Sequence, residues 1–392
     1  MKITGVVSEF NPFHRGHEYL LNELRQRGAE IIICVMSGNF VQRGEAAIAD
    51  KYSRAAMAVR CGADVVVELP YPYSSASAEP FATAGVSVLA RLGVTHLGFG
   101  SECADIDRLT RGAGVLMSSE FISEYRRLCR GGQGSAAAYA AAFEAIGGEG
   151  LCGSNDILAL EYIKAAYRGG HSLSFDAVPR AGGLHDSSEA TGIYLSAKSI
   201  RAKIFSSGVE SVSEWMPPAA YAELKKSVDE GLAPASLEKI GTGILAMLRL
   251  DDMAHGREIA ECGGGLAQRL RRAAMSAGSL EELYRLASAK NYTDARIRRG
   301  MLFYLTGVRR EDITREPAYT LLLAASKRGI DYLSSIRRQQ RIHGVSKPAD
   351  AGKIHGGARQ YSLSLTADSL WTLTLPKAAD AGLLLRRGPV LI

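Results

Sequence analysis

Residues 2–36, KITGVVSEFNPFHRGHEYLLNELRQRGAEIIICVM, decide the fold class. KITGVV reads as a strand, GHEYLLNELRQRG as a helix, and EIIICVM as a strand covered on both faces. The alternation continues outward from this unit. ADKYSRAAMAVRCG reads as a helix closed by Gly62, and DVVVEL as a strand. AEPFATAGVSVLARLG reads as a helix, and VTHLGFGSE opens with a fourth strand. Short Val/Ile-rich strands between helices predict an α/β domain with a doubly wound parallel sheet of the Rossmann kind. Ligands of such a sheet sit at the carboxyl ends of its strands.

Beyond about residue 105 the pattern turns mostly helical. FISEYRRLCRG, SAAAYAAAFEAIGG and SNDILALEYIKAAYRGG are read as helices, with Ser154 or Asn155 as the N-cap of the last. SFDAVPR reads as a further strand, and LSAKSIRAKIF as a loop entering a helix. The expected division is a nucleotide-binding domain over 1–205 and a mostly helical domain over 206–392. The tail segment RQYSLSLTADSLWTL is expected to form a small strand and turn.

Bulk properties narrow the classes. A chain of 392 residues exceeds one average core, which favours two domains or three. No apolar run approaches the roughly 20 residues of a membrane span, and the opening apolar strand is too short for a signal peptide. The expectation is a cytoplasmic protein with no membrane partner. Six cysteines at 34, 61, 103, 129, 152 and 262 never show C-x-x-C spacing, which argues for free thiols and against a zinc site. Charge is uneven. Residues 261–341 hold 16 Lys+Arg against 8 Asp+Glu, a net of +8, whereas the whole chain is +6, so the remainder carries 6 − 8 = −2. A basic block on a near-neutral protein suggests a polyanionic partner.

Two histidines, His14 and His17, flank Gly16 where the first strand hands over to the first helix. Metal ligation is one reading, but no third ligand stands nearby at a usual spacing. A pair that only caps the helix is a second. Phosphate chemistry is the third. Gly16 lets a nucleotide approach the backbone, the helix N-terminus faces an anion, and two imidazoles can donate to phosphate oxygens as charge builds in an in-line displacement. Asn11-Pro12 supplies a fixed turn before the pair.

The spacing H-x-G-H after F-N-P resembles the signature of the nucleotidyltransferase superfamily, which includes the class I aminoacyl-tRNA synthetases. The resemblance implies ATP binding and stabilisation of the α-phosphate transition state by His14 and His17. The superfamily's second signature, I-S-S-T-x-I-R, is matched by LSAKSIR, residues 195–201. Ser196, Ser199 and Arg201 are then expected at the β- and γ-phosphates. Lys198 departs from the pattern and is left outside the expected site.

Longer strings narrow the resemblance. MSGNFVQRGEAAIADKYSRAAMA, GADVVVELP, LGFGSE, SNDILALEYIKA, PRAGGLHD and SAKSIR follow in order, and together they resemble the bacterial tRNA(Met) cytidine acetate ligase family. KNYTDARIRRGMLFYLTGV and YSLSLTADSLW extend it more loosely. The family implies ATP and acetate as substrates, an acetyl-adenylate intermediate, and acetyl transfer to N4 of the wobble cytidine, position 34, of elongator tRNA(Met). Mg²⁺ is expected only because ATP carries it.

By the same resemblance, residues 7–20 match the ATP-binding segment: Val7, Ser8, Glu9, Phe10, Asn11, Pro12, Phe13, His14, Arg15, Gly16, His17, Glu18, Tyr19 and Leu20. Gly100, Asn155 and Arg180 match further ATP contacts. Asn39, Gln42 and Arg43 in SGNFVQRG are candidates for the substrate side of the pocket. Lys290, Tyr292, Arg296, Arg298 and Arg299, in the basic block, are candidates for tRNA phosphates and unpaired bases. Two competing readings stay open at this stage: a small-molecule adenylyltransferase, which would not need the basic half, and a tRNA-binding protein with a degenerate nucleotide pocket.

Overall fold

The computed structural model describes residues 1–149, 153–180, 194–338 and 341–392. PRAGGLHD and IRRQQR therefore lie partly outside the described residues, as does Cys152. The first unit runs β1 (Ile3–Ser8), α1 (Arg15–Gln26), β2 (Ile31–Ser37), α2 (Lys51–Arg60), β3 (Val65–Leu69), α3 (Ala78–Arg91) and β4 (His96–Ser101). Helices α4 (Ile106–Met117), α5 (Ser119–Arg130), α6 (Ser135–Ala145) and α7 (Ser154–Arg168) follow, then β5 (Ser174–Pro179) and α8 (Ala197–Ser207). The second half contains α9 (Pro218–Asp229), α10 (Gly241–Leu250), α11 (Leu266–Ser276), α12 (Leu280–Ala287), α13 (Asp294–Thr306), β6 (Tyr319–Ala325), α14 (Lys327–Ile336), β7 (His343–Val345), the single turn α15 (Pro348–Ala351), α16 (Ala358–Thr372) and β8 (Val390–Leu391).

Strand order is β5-β4-β1-β2-β3-β6-β7, with β8 also on β6. The first five strands are parallel, and the neighbours β2 and β3 are buried along their whole length. Sequence order reverses between β1 and β4, so a crevice opens there, outside the carboxyl ends of both strands. The expected boundary at 205 falls inside α8. Further on, β6 adds antiparallel to β3, so the second half returns to the sheet of the first.

Two expectations are corrected. RQYSLSLTADSLWTL forms α16 rather than a strand and turn. Its buried positions Leu363, Ala367 and Trp371 recur every four residues, the helical period, and the Trp371 Nε1–H donates to Ala47 O at 2.9 Å. The N-cap of α7 is Gly153, and neither Ser154 nor Asn155 caps it. Glu102 does that work from the end of β4, accepting from Asp156 N at 2.8 Å and Asn155 N at 3.4 Å.

A buried polar knot ties the two halves. The Lys51 ammonium lies 2.9 Å from Glu68 Oε1 and 2.8 Å from Asp368 Oδ2. Asn39 closes the knot, donating to Asp368 Oδ1 at 2.7 Å and accepting from Lys51 N at 2.9 Å. Burial opposes the lysine charge, but Asp368 and Glu68 outweigh it and lift the ammonium above its ordinary range. Lys51→Met would leave two carboxylates facing each other without a cation. It is expected to lower unfolding free energy by about 3–5 kcal/mol in urea titration. A loss under about 1 kcal/mol would remove the knot from the account of stability. The five cysteines among the described residues are free thiols, and burial pushes those of Cys61 and Cys262 up to about 12. Among the described residues no helix is long and apolar enough to cross a membrane.

Candidate active site

A cavity of about 410 Å³ occupies the crevice at the sheet's reversal point. Its walls come from the end of β1, the start of α1, the loop after β2, the end of β4, the start of α7, the end of β5 and the start of α8.

The start of α1 is built by its own histidines. His14 is the N-cap, and its Nδ1 accepts from Gly16 N at 3.1 Å. His17 Nδ1 accepts in return from His14 N at 3.2 Å. This is a capping box in which both partners are imidazoles. The rings stack with centroids 3.8 Å apart. Phe10 meets the His17 ring edge-on at 4.9 Å and Phe13 lies 5.4 Å away, so the ring is clamped from behind. Phe10 itself holds a left-handed backbone (φ 44°), a conformation side chains rarely adopt and one that concentrates at functional sites.

The capping bonds fix the tautomers. Each Nδ1 accepts a backbone N–H, so each proton sits on Nε2, on the side of the ring away from its own cap. Burial foremost, then the neighbouring His14 ring and the Arg180 guanidinium, holds the His17 pKa well below its ordinary value. His17 is thus a neutral imidazole with an Nε2–H donor at the cavity wall.

Opposite stands a second helix start. Ser196 caps α8, its Oγ accepting from Ser199 N at 3.2 Å and lying 2.9 Å from Ser199 Oγ. Arg201, one turn in, donates from Nη1 to Asn11 O at 2.8 Å and from Nη2 to Glu45 Oε2 at 2.9 Å. Two helix N-termini and a guanidinium therefore converge on one cavity, an arrangement suited to a polyphosphate. Glu102 organises the third wall. It accepts from Asn155 Nδ2 at 2.6 Å and lies 3.8 Å from Arg180 Nη1. Gly100 lies under this wall, and a Cβ there would meet only Arg180 Cγ, at 3.6 Å. The protein itself has room for a side chain at Gly100, so the open space is available to a ligand.

Most of the predicted site residues line the cavity. From the first segment these are Val7, Ser8, Glu9, Phe10, Asn11, His14, Gly16, His17, Tyr19 and Leu20. Gly100, Asn155, Arg180, Ser196 and Arg201 join them, as do Gln42 and Arg43. Pro12, Phe13, Arg15, Glu18 and Ser199 are not in the lining. Phe13 is core, and Arg15 turns away to donate to Glu214 O at 2.8 Å. Asn39 belongs to the buried knot with Lys51 and Asp368, not to the cavity.

Sequence reasoning missed Glu45 and Glu102 and left Lys198 outside the expected site. Lys198 and Glu45 both line the cavity. The signal for Glu45 was its place in the same loop as Gln42 and Arg43. Glu9 was placed, but its environment was not foreseen: burial raises its carboxyl pKa, and its Oε1 accepts from Gln42 N at 2.8 Å.

In the basic block, Lys290 is exposed. The three central arginines are engaged with the chain. Arg296 donates to Gly263 O at 3.0 Å and lies 5.1 Å over the Tyr292 ring, while the Tyr292 hydroxyl donates to Gly264 O. Arg299 pairs with Glu261 at 3.4 Å, and Arg298 pairs with Glu45.

The chain matches the HIGH nucleotidyl transferase family over residues 1–383. It is 34% identical over 401 residues to the tRNA(Met) cytidine acetate ligase of Syntrophomonas wolfei, covering 97% of this chain and 96% of that one. The chain belongs to the tRNA(Met) cytidine acetate ligase family. The ligase from Thermotoga maritima is 34% identical over 353 residues, covering 85% of this chain and 84% of that one. The ligand-free crystal structure of Thermotoga maritima TmcAL superposes with a TM-score of 0.94 at 31% identity, covering 100% of both chains. The same protein bound to alpha-thio ATP superposes with a TM-score of 0.92, again at 31% identity and 100% coverage of both. Membership places the H-x-G-H turn of this chain within the HIGH nucleotidyl transferase family.

Proposed function

We propose that the chain activates acetate with ATP and transfers the acetyl group to N4 of the wobble cytidine of elongator tRNA(Met). The observation that carries this reading is the pair of imidazoles at the α1 N-terminus, each accepting a backbone N–H at Nδ1, which line one cavity with Ser196 and Arg201. ATP enters as its Mg²⁺ complex, the ion belonging to the substrate. The α8 start and Arg201 hold the β- and γ-phosphates. An acetate oxygen then attacks the α-phosphorus and pyrophosphate leaves, giving acetyl-adenylate. His14 and His17 donate to the α-phosphate oxygens as charge accumulates, a role that needs no proton transfer and no covalent enzyme intermediate. In the second step the cytidine amine attacks the acetyl carbonyl, AMP leaves, and the nitrogen gives up one proton.

Asn155, Arg180 and Gly100 support the adenosine side in this reading, and Gln42 and Arg43 the acetate and cytidine side. Division of labour at residue 205 is part of the proposal: the first half makes the adenylate, and the basic block, entered through exposed Lys290, meets RNA phosphates. A cytoplasmic location follows from a tRNA substrate. Mass spectrometry of tRNA nucleosides after incubation with ATP and acetate tests the whole. N4-acetylcytidine at position 34 that depends on both substrates is expected. Its absence, with wild-type protein that binds ATP, would overturn the assignment.

A further inference from the structure

Glu45 is one carboxylate between two guanidiniums. Its Oε2 accepts from Arg201 at 2.9 Å, and its Oε1 accepts from Arg298. Arg201 and Glu45 line the cavity, whereas Arg298, on α13, lies outside the lining. Arg298 is also not a free surface charge: its Nε is buried without a hydrogen-bond partner and its guanidinium lies 5.2 Å over the Tyr284 ring. The loop carrying Glu45 is seated on α13 by bare backbone. Gly44 holds φ 71°, and a Cβ there would fall 2.6 Å from Arg299 N and 2.7 Å from Arg298 C. Arg299 Nη1 adds a long contact to Gln42 O at 3.5 Å. Helix α13 and the cavity-lining loop are therefore in register at Glu45.

We propose that Arg298 is a positioning residue for the nucleotide's phosphates: by sharing the Glu45 carboxylate, it keeps Arg201 available to the triphosphate. This rests on the reading of Arg201 as a phosphate ligand. Its physical basis is charge. With Arg298 present, one carboxylate is divided between two cations and the three groups sum to +1. Without it, Glu45 and Arg201 form a neutral pair, and a phosphate must break a charge-assisted bond to recruit the guanidinium. The same carboxylate links the two halves of the molecule. An RNA phosphate that drew Arg298 away would leave Glu45 to Arg201 alone and weaken the hold on ATP or pyrophosphate, and ATP would weaken RNA at this contact in return.

The test is calorimetric titration of ATP with Mg²⁺ into full-length wild type, Arg298→Gln, Glu45→Gln and the double variant. Arg298→Gln is expected to weaken ATP binding about 5-fold or more. The double variant is expected to return to within about 2-fold of wild type or tighter, because Arg298 acts through Glu45. An Arg298→Gln protein that melts like wild type and binds ATP equally well would overturn the proposal. A double variant as weak as Arg298→Gln would also overturn it, since a merely structural arginine is not rescued by removing its partner. If Arg298→Gln does not fold, Glu45→Gln alone decides: binding at least as tight as wild type supports the proposal, and a loss beyond about 3-fold overturns it. Acetate-dependent exchange by wild type is scored separately, so a chain that binds ATP without activating acetate fails the functional assignment and leaves this measurement intact.

Discussion

His17→Ala is expected to slow acetate-dependent ATP–pyrophosphate exchange by about 10²- to 10³-fold, the usual cost of one lost transition-state donor. The geometry explains why the effect falls on the chemical step. His17 Nδ1 accepts the His14 backbone N–H, which leaves Nε2–H as the only donor its ring presents to the cavity. The ring is clamped between His14, Phe10 and Phe13, so the donor is aimed before ATP arrives. Losing the side chain also removes half of a capping box, worth about 0.5–2 kcal/mol of stability. A folded His17→Ala protein with near-normal exchange would rule out His17 as the charge-stabilising donor. His17→Asn is the informative companion, since its amide can accept the same cap and still present an N–H.

The protonation state adds a pH signature. The folded pKa of His17 lies well below the ordinary 6.5 because the ring is buried beside His14 and Arg180. The unfolded chain therefore binds more protons in the window between those two values, and His17 withdraws stability as pH falls through it. Activity carries no limb from His17 near pH 6.5, because the neutral donor is already present there. A rate–pH profile whose acid limb at that pH disappears in His17→Asn would contradict a neutral His17.

How much of this was legible in advance depends on how local the signal is. The alternation of strands and helices through residue 101, the H-x-G-H turn and the Ser-capped start of α8 are written in contiguous residues, and each appears where its pattern placed it. What escaped reading depends on partners distant in sequence. Asn39 looked like a polar loop residue, yet Asp368, brought in by α16, draws it into the interior. Asn155 looked like a cap, but Glu102 from another strand supplies that carboxylate. Arg296, Arg298 and Arg299 read as candidates for RNA phosphates, and each is held by an acceptor at least 33 residues away. Strand β6 was hidden because its apolar run YTLLLAA pairs antiparallel with β3, a partner some 250 residues earlier that no local pattern announces.

Arg201→Met is expected to lower kcat/KM for ATP in the exchange reaction by about 10²-fold, since it removes a charge-assisted contact to phosphate that a thioether cannot replace. Two other roles compete for the same side chain. As a packing group, Arg201 would matter through its methylene stem, which methionine largely preserves. As an internal tie, it would matter through Asn11 and Glu45, whose loss would lower the melting temperature. A phosphate ligand predicts a third pattern: near-native melting and impaired exchange, with tRNA retention on filters, when no ATP is present, losing far less than exchange does. The position of the guanidinium favours this pattern. It donates across to the turn that opens α1 while standing one helical turn inside α8, so it bridges the two N-termini that border the cavity. Lys198, on the cavity wall in the first turn of α8, supplies a second cation, and Arg201→Met should therefore leave residual activity that Arg201→Met/Lys198→Met removes. Full exchange by Arg201→Met would reduce LSAKSIR to a helix start and move the phosphate site elsewhere in the cavity.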